Sequence, residues 1–149
     1  MQNPDIQTVI DIVTKKYKCS LFSITRKKIM FHGVSNGKKL VLCSPESKLH
    51  VKGHGWFDLT TKQVELLDKA DIAILVVRLE GNKIYFVDFK ELRNLISTAK
   101  TLNYSSDEKW RLYIWNNYIT IRGNSAKFPV EPEIAITGGI TNACKLDFQ

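Results

Sequence analysis

The sequence predicts an α+β fold in one domain, with a mixed sheet flanked by helices and a C-terminal β-hairpin. Three observations carry that expectation. Apolar residues recur at helical spacing near residues 6–17, 61–67 and 90–100. Short extended runs come in pairs around turn residues, at Asn36-Gly37, Glu80-Gly81-Asn82 and Asn116-Asn117. The length of 149 residues and the 44% apolar content suit one domain with its own core.

The first helix is signed by Asn3 as cap, Pro4 at the first helical position and Asp5 in the first turn. Ile6, Val9, Ile10, Val13 and Tyr17 form its apolar stripe, and Lys15, Lys16 and Lys18 crowd its C-terminal end, where cations suit the helix dipole. Three extended runs follow, "SLFSIT", "KIMFHGV" and "KKLVLCS". The last two flank Asn36-Gly37, the strongest short hairpin signal, so 28–34 and 38–44 are expected to pair antiparallel. "SPESKLHVKGHG" reads as a polar loop. In "WFDLTTKQVELLDKA", Thr60 and Gln63 make a capping box for a short helix that buries Val64 and Leu67. "DIAILVVRL" and "NKIYFVDF" form a second, more buried hairpin, and "KELRNLISTAK" a third helix with Leu92, Leu95 and Ile96 on one face. "KWRLYIWNNYITIRG" alternates around Asn116-Asn117 as a third hairpin. "FPVEPE" is irregular, and "TGGIT" at 137–141 is turn-like.

Composition narrows the function classes. No apolar run approaches the roughly 20 residues of a membrane helix, and the polar start "MQNPDIQTV" is not a secretory signal. Cys19, Cys43 and Cys144 are an odd, widely spaced set with no Cys-x-x-Cys, which points to neither a zinc knuckle nor a disulfide framework. The expected compartment is the reducing cytoplasm. The net charge of +7 is one-sided: residues 1–57 hold ten Lys/Arg against three Asp/Glu, and residues 58–149 hold twelve of each. A one-sided positive field attracts polyanions, and nucleic acid is the expected partner. Lys15, Lys16, Lys27, Lys28, Lys38, Lys39 and Lys52 are the expected phosphate contacts, joined by His50 and His54 in a glycine-containing loop that ends at Trp56. His50 and His54 are four apart, but Gly53 and Gly55 argue against the helix a zinc pair needs. His32 reads as a core or edge histidine.

The stretch "IYFVDFKELRNL" at 84–95 carries the sharpest question. Asp88-Phe89-Lys90 is an acid-x-Lys triplet, and Asp71 opens the strand paired with the one that Asp88 closes. Two carboxylates so placed could hold Mg²⁺ through oxygen ligands, with Lys90 orienting a nucleophilic water, which is the chemistry of a metal-dependent endonuclease. Asp88-Phe89-Lys90-Glu91 is equally an acidic N-cap with a carboxylate three residues on, at the start of a helical pattern. The capping reading is preferred. Trp110, Tyr113, Trp115 and Tyr118 crowd the last hairpin; exposed, they would stack on bases or flank a dimer seam, and buried they would pack the core. Cys43 has no elbow or neighbouring histidine and reads as a small buried residue.

The order helix, three strands, helix, hairpin, helix is similar to the restriction-endonuclease-like, PD-(D/E)XK, superfamily. "DEKWRLYIW" with "GNSAKFPVEPEI" looks like the late segment of small homodimeric type II restriction enzymes. The resemblance covers residues 5–135. In that family the acid-x-Lys triplet lies on the strand before the middle helix, here "KKLVLCS", whose matching slots hold Val41 and Cys43; "FHGVSNG" supplies no upstream acid. The resemblance therefore implies the fold while withdrawing the catalytic residues.

The leading expectation is a protein that binds duplex DNA without self-sufficient cleavage and without a cofactor. A homodimer or a larger defence or repair assembly is its setting. The alternatives are an active Mg²⁺ endonuclease using Asp71, Asp88 and Lys90, and an interaction module with no nucleic-acid role.

Overall fold

The structure, a computed structural model, describes residues 3–47, 53–97, 102–104, 107–136 and 139–142. The elements run α1 (Ile6–Tyr17), β1 (Phe22–Ser23), β2 (Met30–Ser35), β3 (Lys38–Cys43), β4 (Glu46–Ser47), β5 (Gly55–Thr60), α2 (Thr61–Asp68), β6 (Ile72–Leu79), β7 (Lys83–Asp88) and α3 (Phe89–Ser97). They continue as β8 (Leu102–Tyr104), β9 (Asp107–Ile114), β10 (Tyr118–Ile121), β11 (Asn124–Pro129), β12 (Glu133–Ile136) and β13 (Gly139–Asn142). The α+β class is as expected. Among the described residues no helix is long and apolar enough to cross a membrane.

The main sheet has the order β1-β2-β3-β6-β7-β12-β13, with β4 added beside β6. Its pairs are antiparallel except where β3 and β4 lie parallel to β6. Parallel neighbours need a crossover, and the segment carrying β5 and α2 provides it. The β2–β3 turn places Asn36 at φ 52° and Gly37 at φ 77°, the two positive values that a two-residue hairpin demands.

A second sheet, β11-β10-β9-β5 with β8 beside β9, is built around the expected tail hairpin. It recruits "GWFDLT", the lead-in to α2, as β5. The strand alternates: Phe57 and Leu59 are buried, and Trp56 is exposed. The capping box then starts α2 as expected, with Gln63 N donating to Thr60 Oγ1 at 3.1 Å and Thr60 N to Gln63 Oε1 at 2.9 Å. Gly55 lies at the seam between sheets. A Cβ there would strike Ser47 Oγ and the Leu79 side chain.

Strand parity divides the core in two. On one face of the main sheet Phe31, Leu40, Leu42, Ile74, Val76 and Ile84 pack with Val9 and Val13 of α1. On the other, Val41, Cys43, Leu75, Val77, Tyr85 and Val87 meet α2, α3 and the inner side of the second sheet, which contributes Phe57, Leu59, Leu112, Ile114, Ile119 and Ile121.

The cap of α1 is Asp5 rather than Asn3: its carboxylate accepts Gln7 N at 3.1 Å. Pro4 is held outside the helix because its carbonyl accepts the buried Arg78 guanidinium at 3.3 Å. Residues 137–141, expected as a turn, include part of β13, which pairs with β12.

Candidate nucleic-acid interface

The geometry at one end of the main sheet follows from strand direction. β2 rises to the Asn36-Gly37 turn and β3 descends from it. β6 begins there because it is parallel to β3, and β7 ends there. α1 also ends there: its last residue, Tyr17, accepts a hydrogen bond through its carbonyl from Ser35 Oγ at 2.6 Å. Lys18 closes the helix in the left-handed region, its N–H donating to Thr14 O. Lys15, Lys16 and Lys18 from α1 and Lys38 and Lys39 from the hairpin are therefore brought to one end, all exposed. Lys90, in the first turn of α3, is exposed at the same end.

The acids at this end are Asp71, Asp88 and Glu91, all exposed. Asp71 pins β6 to β3: its N–H donates to Lys39 O at 2.9 Å, and its Oδ2 accepts Lys39 N at 2.9 Å. Asp88 caps α3, its Oδ1 accepting Lys90 N at 3.0 Å. Both acids line a cavity of about 330 Å³ with Lys16, Tyr17, Phe86 and Lys90. The Lys16 ammonium sits 5.7 Å from the Tyr17 ring centre and 5.9 Å from that of Phe86. Burial, and then the charge of Asp88, push the Tyr17 hydroxyl above its usual range.

Asp71 stands just before β6 and Asp88 ends β7. Asp88 pairs with Ile74, so Asp71 lies three residues further along β6. That offset is about 10 Å along the backbone at roughly 3.3 Å per residue. Each carboxylate also accepts a backbone N–H. Among the described residues no three of His, Cys, Asp and Glu group as metal ligands. The structure brings Asp71, Asp88 and Lys90 to one cavity. Val41 and Cys43, at the positions the resemblance aligned with an acid and a lysine, are core residues at 1% and 0% exposure. Burial pushes the Cys43 thiol up to about 12, with Arg78 acting weakly against it.

No family model matches the chain, and no curated protein or solved structure matches it significantly.

The cationic segment does not form one patch. Lys27 and Lys28 lie in the turn between β1 and β2, closed by Lys27 N donating to Ile24 O at 2.9 Å. That turn is at the start of β2, five strand steps or about 17 Å from the Asn36-Gly37 end. A charge count along the chain carries no record of which end of a strand each lysine occupies. His50 and Lys52 lie outside the described residues. His54 is partly buried beneath the second sheet's aromatic side chains, 4.4 Å from Trp115 and 5.7 Å from Tyr113 between ring centres. His32 is exposed on β2, between β1 and β3, its ring 6.1 Å from that of Phe22. Lys18 and Lys90 are the additions that sequence reasoning did not assign to the interface. The helical stripe of α1 and the cap at Asp88 carried the signal for both.

Proposed function

We propose that this chain binds duplex DNA through its phosphate backbone and does not cut it by itself. The observation that carries this reading is the gathering of Lys15, Lys16, Lys18, Lys38 and Lys39 at one end of the sheet, tied by the Ser35–Tyr17 bond. Exposed ammonium groups on two rigid elements can each neutralise a phosphate, and release of the DNA's condensed counterions supplies the affinity. Such contacts position a duplex without reading its sequence. The order helix, three strands, helix, hairpin, helix that carried the resemblance is interrupted by β4 and β5 between β3 and α2; the non-cleaving reading draws on the burial of Val41 and Cys43 at the slots the resemblance matches to catalytic residues. A homodimer or a place in a defence or repair assembly rests on that resemblance alone.

The test is a gel shift with a random-sequence duplex at low and high salt. Retention at low salt and release at high salt is expected; no retention at low salt removes the reading. A parallel plasmid digest with Mg²⁺ or Mn²⁺ should leave the plasmid intact. Cleavage that Asp88→Ala abolishes in a folded protein would replace this reading with the endonuclease one.

A further inference from the structure

The second sheet turns its inner side to the core, and alternation sends the other set outward. The outward positions are Trp56, Asp58 and Thr60 on β5, Arg111 and Tyr113 on β9, and Tyr118 and Thr120 on β10. None is aliphatic. The aromatic members form a connected row across the strands. Tyr118 stacks on Trp115 at 5.8 Å and 22°, Trp115 meets His54 at 4.4 Å, His54 meets Tyr113 at 5.7 Å, and Tyr113 is the register partner of Trp56. A cation closes each end of the row. The Lys127 ammonium lies 4.6 Å from the Tyr118 ring centre, and the Arg111 guanidinium 4.3 Å from that of Trp56. Arg111 is fixed in that plane by a bidentate pair with Asp58, at 2.8 and 3.0 Å.

We infer that this face is a stacking surface for the unpaired bases of single-stranded nucleic acid. Planar rings across an antiparallel sheet, with a cation at each end, are what base stacking and backbone neutralisation require. Cross-strand aromatic pairs also stabilise sheets, but that role does not account for Trp56 standing 38% exposed at the end of the row. A protein-docking face would share the aromatics and arginine, yet interface centres are depleted in lysine, and Lys127 sits directly over a ring here. This surface is separate from the lysine end and goes beyond the duplex-binding reading.

The experiment titrates the full chain with short oligothymidylate, oligouridylate and a duplex, following tryptophan quenching and the anisotropy of labelled strands. At least one single strand is expected to bind and quench. Trp56→Leu keeps bulk but removes the ring plane. It should weaken single-strand binding by about fivefold to a hundredfold, the range for loss of one stacking aromatic, while duplex affinity stays unchanged. Where Trp56→Leu fails to fold, Tyr118→Leu gives the same reading at the other end of the row. Failure of both single strands to bind, or a folded variant that binds them like wild type, overturns the proposal. The duplex arm, read beside Lys38→Gln/Lys39→Gln, shows separately whether the lysine end has failed.

Discussion

Asp88 and Lys90 meet through the backbone rather than through their charges: the Asp88 Oδ1 accepts the Lys90 N–H at 3.0 Å, at the second residue of α3. The acid-x-Lys spacing that would serve a nuclease here starts a helix. Replacing Asp88 by Ala leaves that donor without its partner and should cost about 0.5–2 kcal/mol, whereas Asp88→Asn, which also caps, should cost a few tenths. Urea unfolding of the two variants checks the difference. Because Asp88→Ala also removes an acid from the lysine end, duplex affinity in the folded variant should hold or rise. A fall in affinity would show that the carboxylate takes part in binding.

Arg78 joins the N-terminus of α1 to the sheet from inside the protein. Its guanidinium donates to Pro4 O, Ser44 O, Ser44 Oγ and Glu46 Oε1. Burial pulls its pKa below the usual arginine value, with Glu46 and Asp5 acting to raise it. Arg78→Met should fill much of the space yet strand two carbonyls without donors, at about 1–3 kcal/mol each. Glu46 is 59% exposed in its side chain, so Glu46→Gln should change stability by less than about 1 kcal/mol. Denaturant midpoints of the pair test the asymmetry. Equal losses would place the stabilisation in the ion pair instead of the carbonyl bonds.

What the sequence made legible was local chemistry. Asn36-Gly37, the Thr60–Gln63 box and the Asp88 cap each declare themselves within four residues, because the groups that satisfy one another are neighbours in the chain. What it hid was pairing at a distance. "GWFDLT" shows period-two alternation just before a strong helix start, and only its register with β9 makes it a strand. The lysines were legible as a charge excess, and their division between the two ends of β2 was not. The outward aromatic face was half legible. Alternation assigned Tyr113 and Arg111 to one side, while His54 and Trp56 joined them only through the 53-residue separation between Asp58 and Arg111.

The division of the lysines gives a salt-dependence prediction. Each phosphate contact contributes about 0.9 to the slope of log K against log salt for duplex DNA. Lys38→Gln/Lys39→Gln should flatten that slope by about 1.8 if both residues touch phosphate. Lys27→Gln/Lys28→Gln, at the far end of β2, should leave it unchanged for a duplex short enough to cover one end. Filter binding over a salt series measures both slopes. Equal flattening by the two double variants would mean that the duplex runs along the length of the sheet.

Stability at alkaline pH follows from Cys43 and Tyr85. Burial pushes the Cys43 thiol from 9.0 up to about 12 and the Tyr85 hydroxyl from 10.0 up to about 12. Tyr85 donates its hydroxyl to Asn116 O at 3.2 Å, joining the two sheets. From about pH 9 upward the unfolded chain loses these protons while the folded chain keeps them. The folded state then binds more protons, so unfolding free energy falls as pH rises, and the decline continues until the folded groups also titrate near 12. Urea midpoints should therefore drop steadily above about pH 9. Cys43→Ala should start lower at neutral pH, because it leaves a small cavity, but decline less steeply above 9. Tyr85→Phe loses the bond to Asn116 and should decline less steeply above 10. A Cys43→Ala midpoint that falls in parallel with wild type would show that the thiol ionises as readily in the fold as outside it.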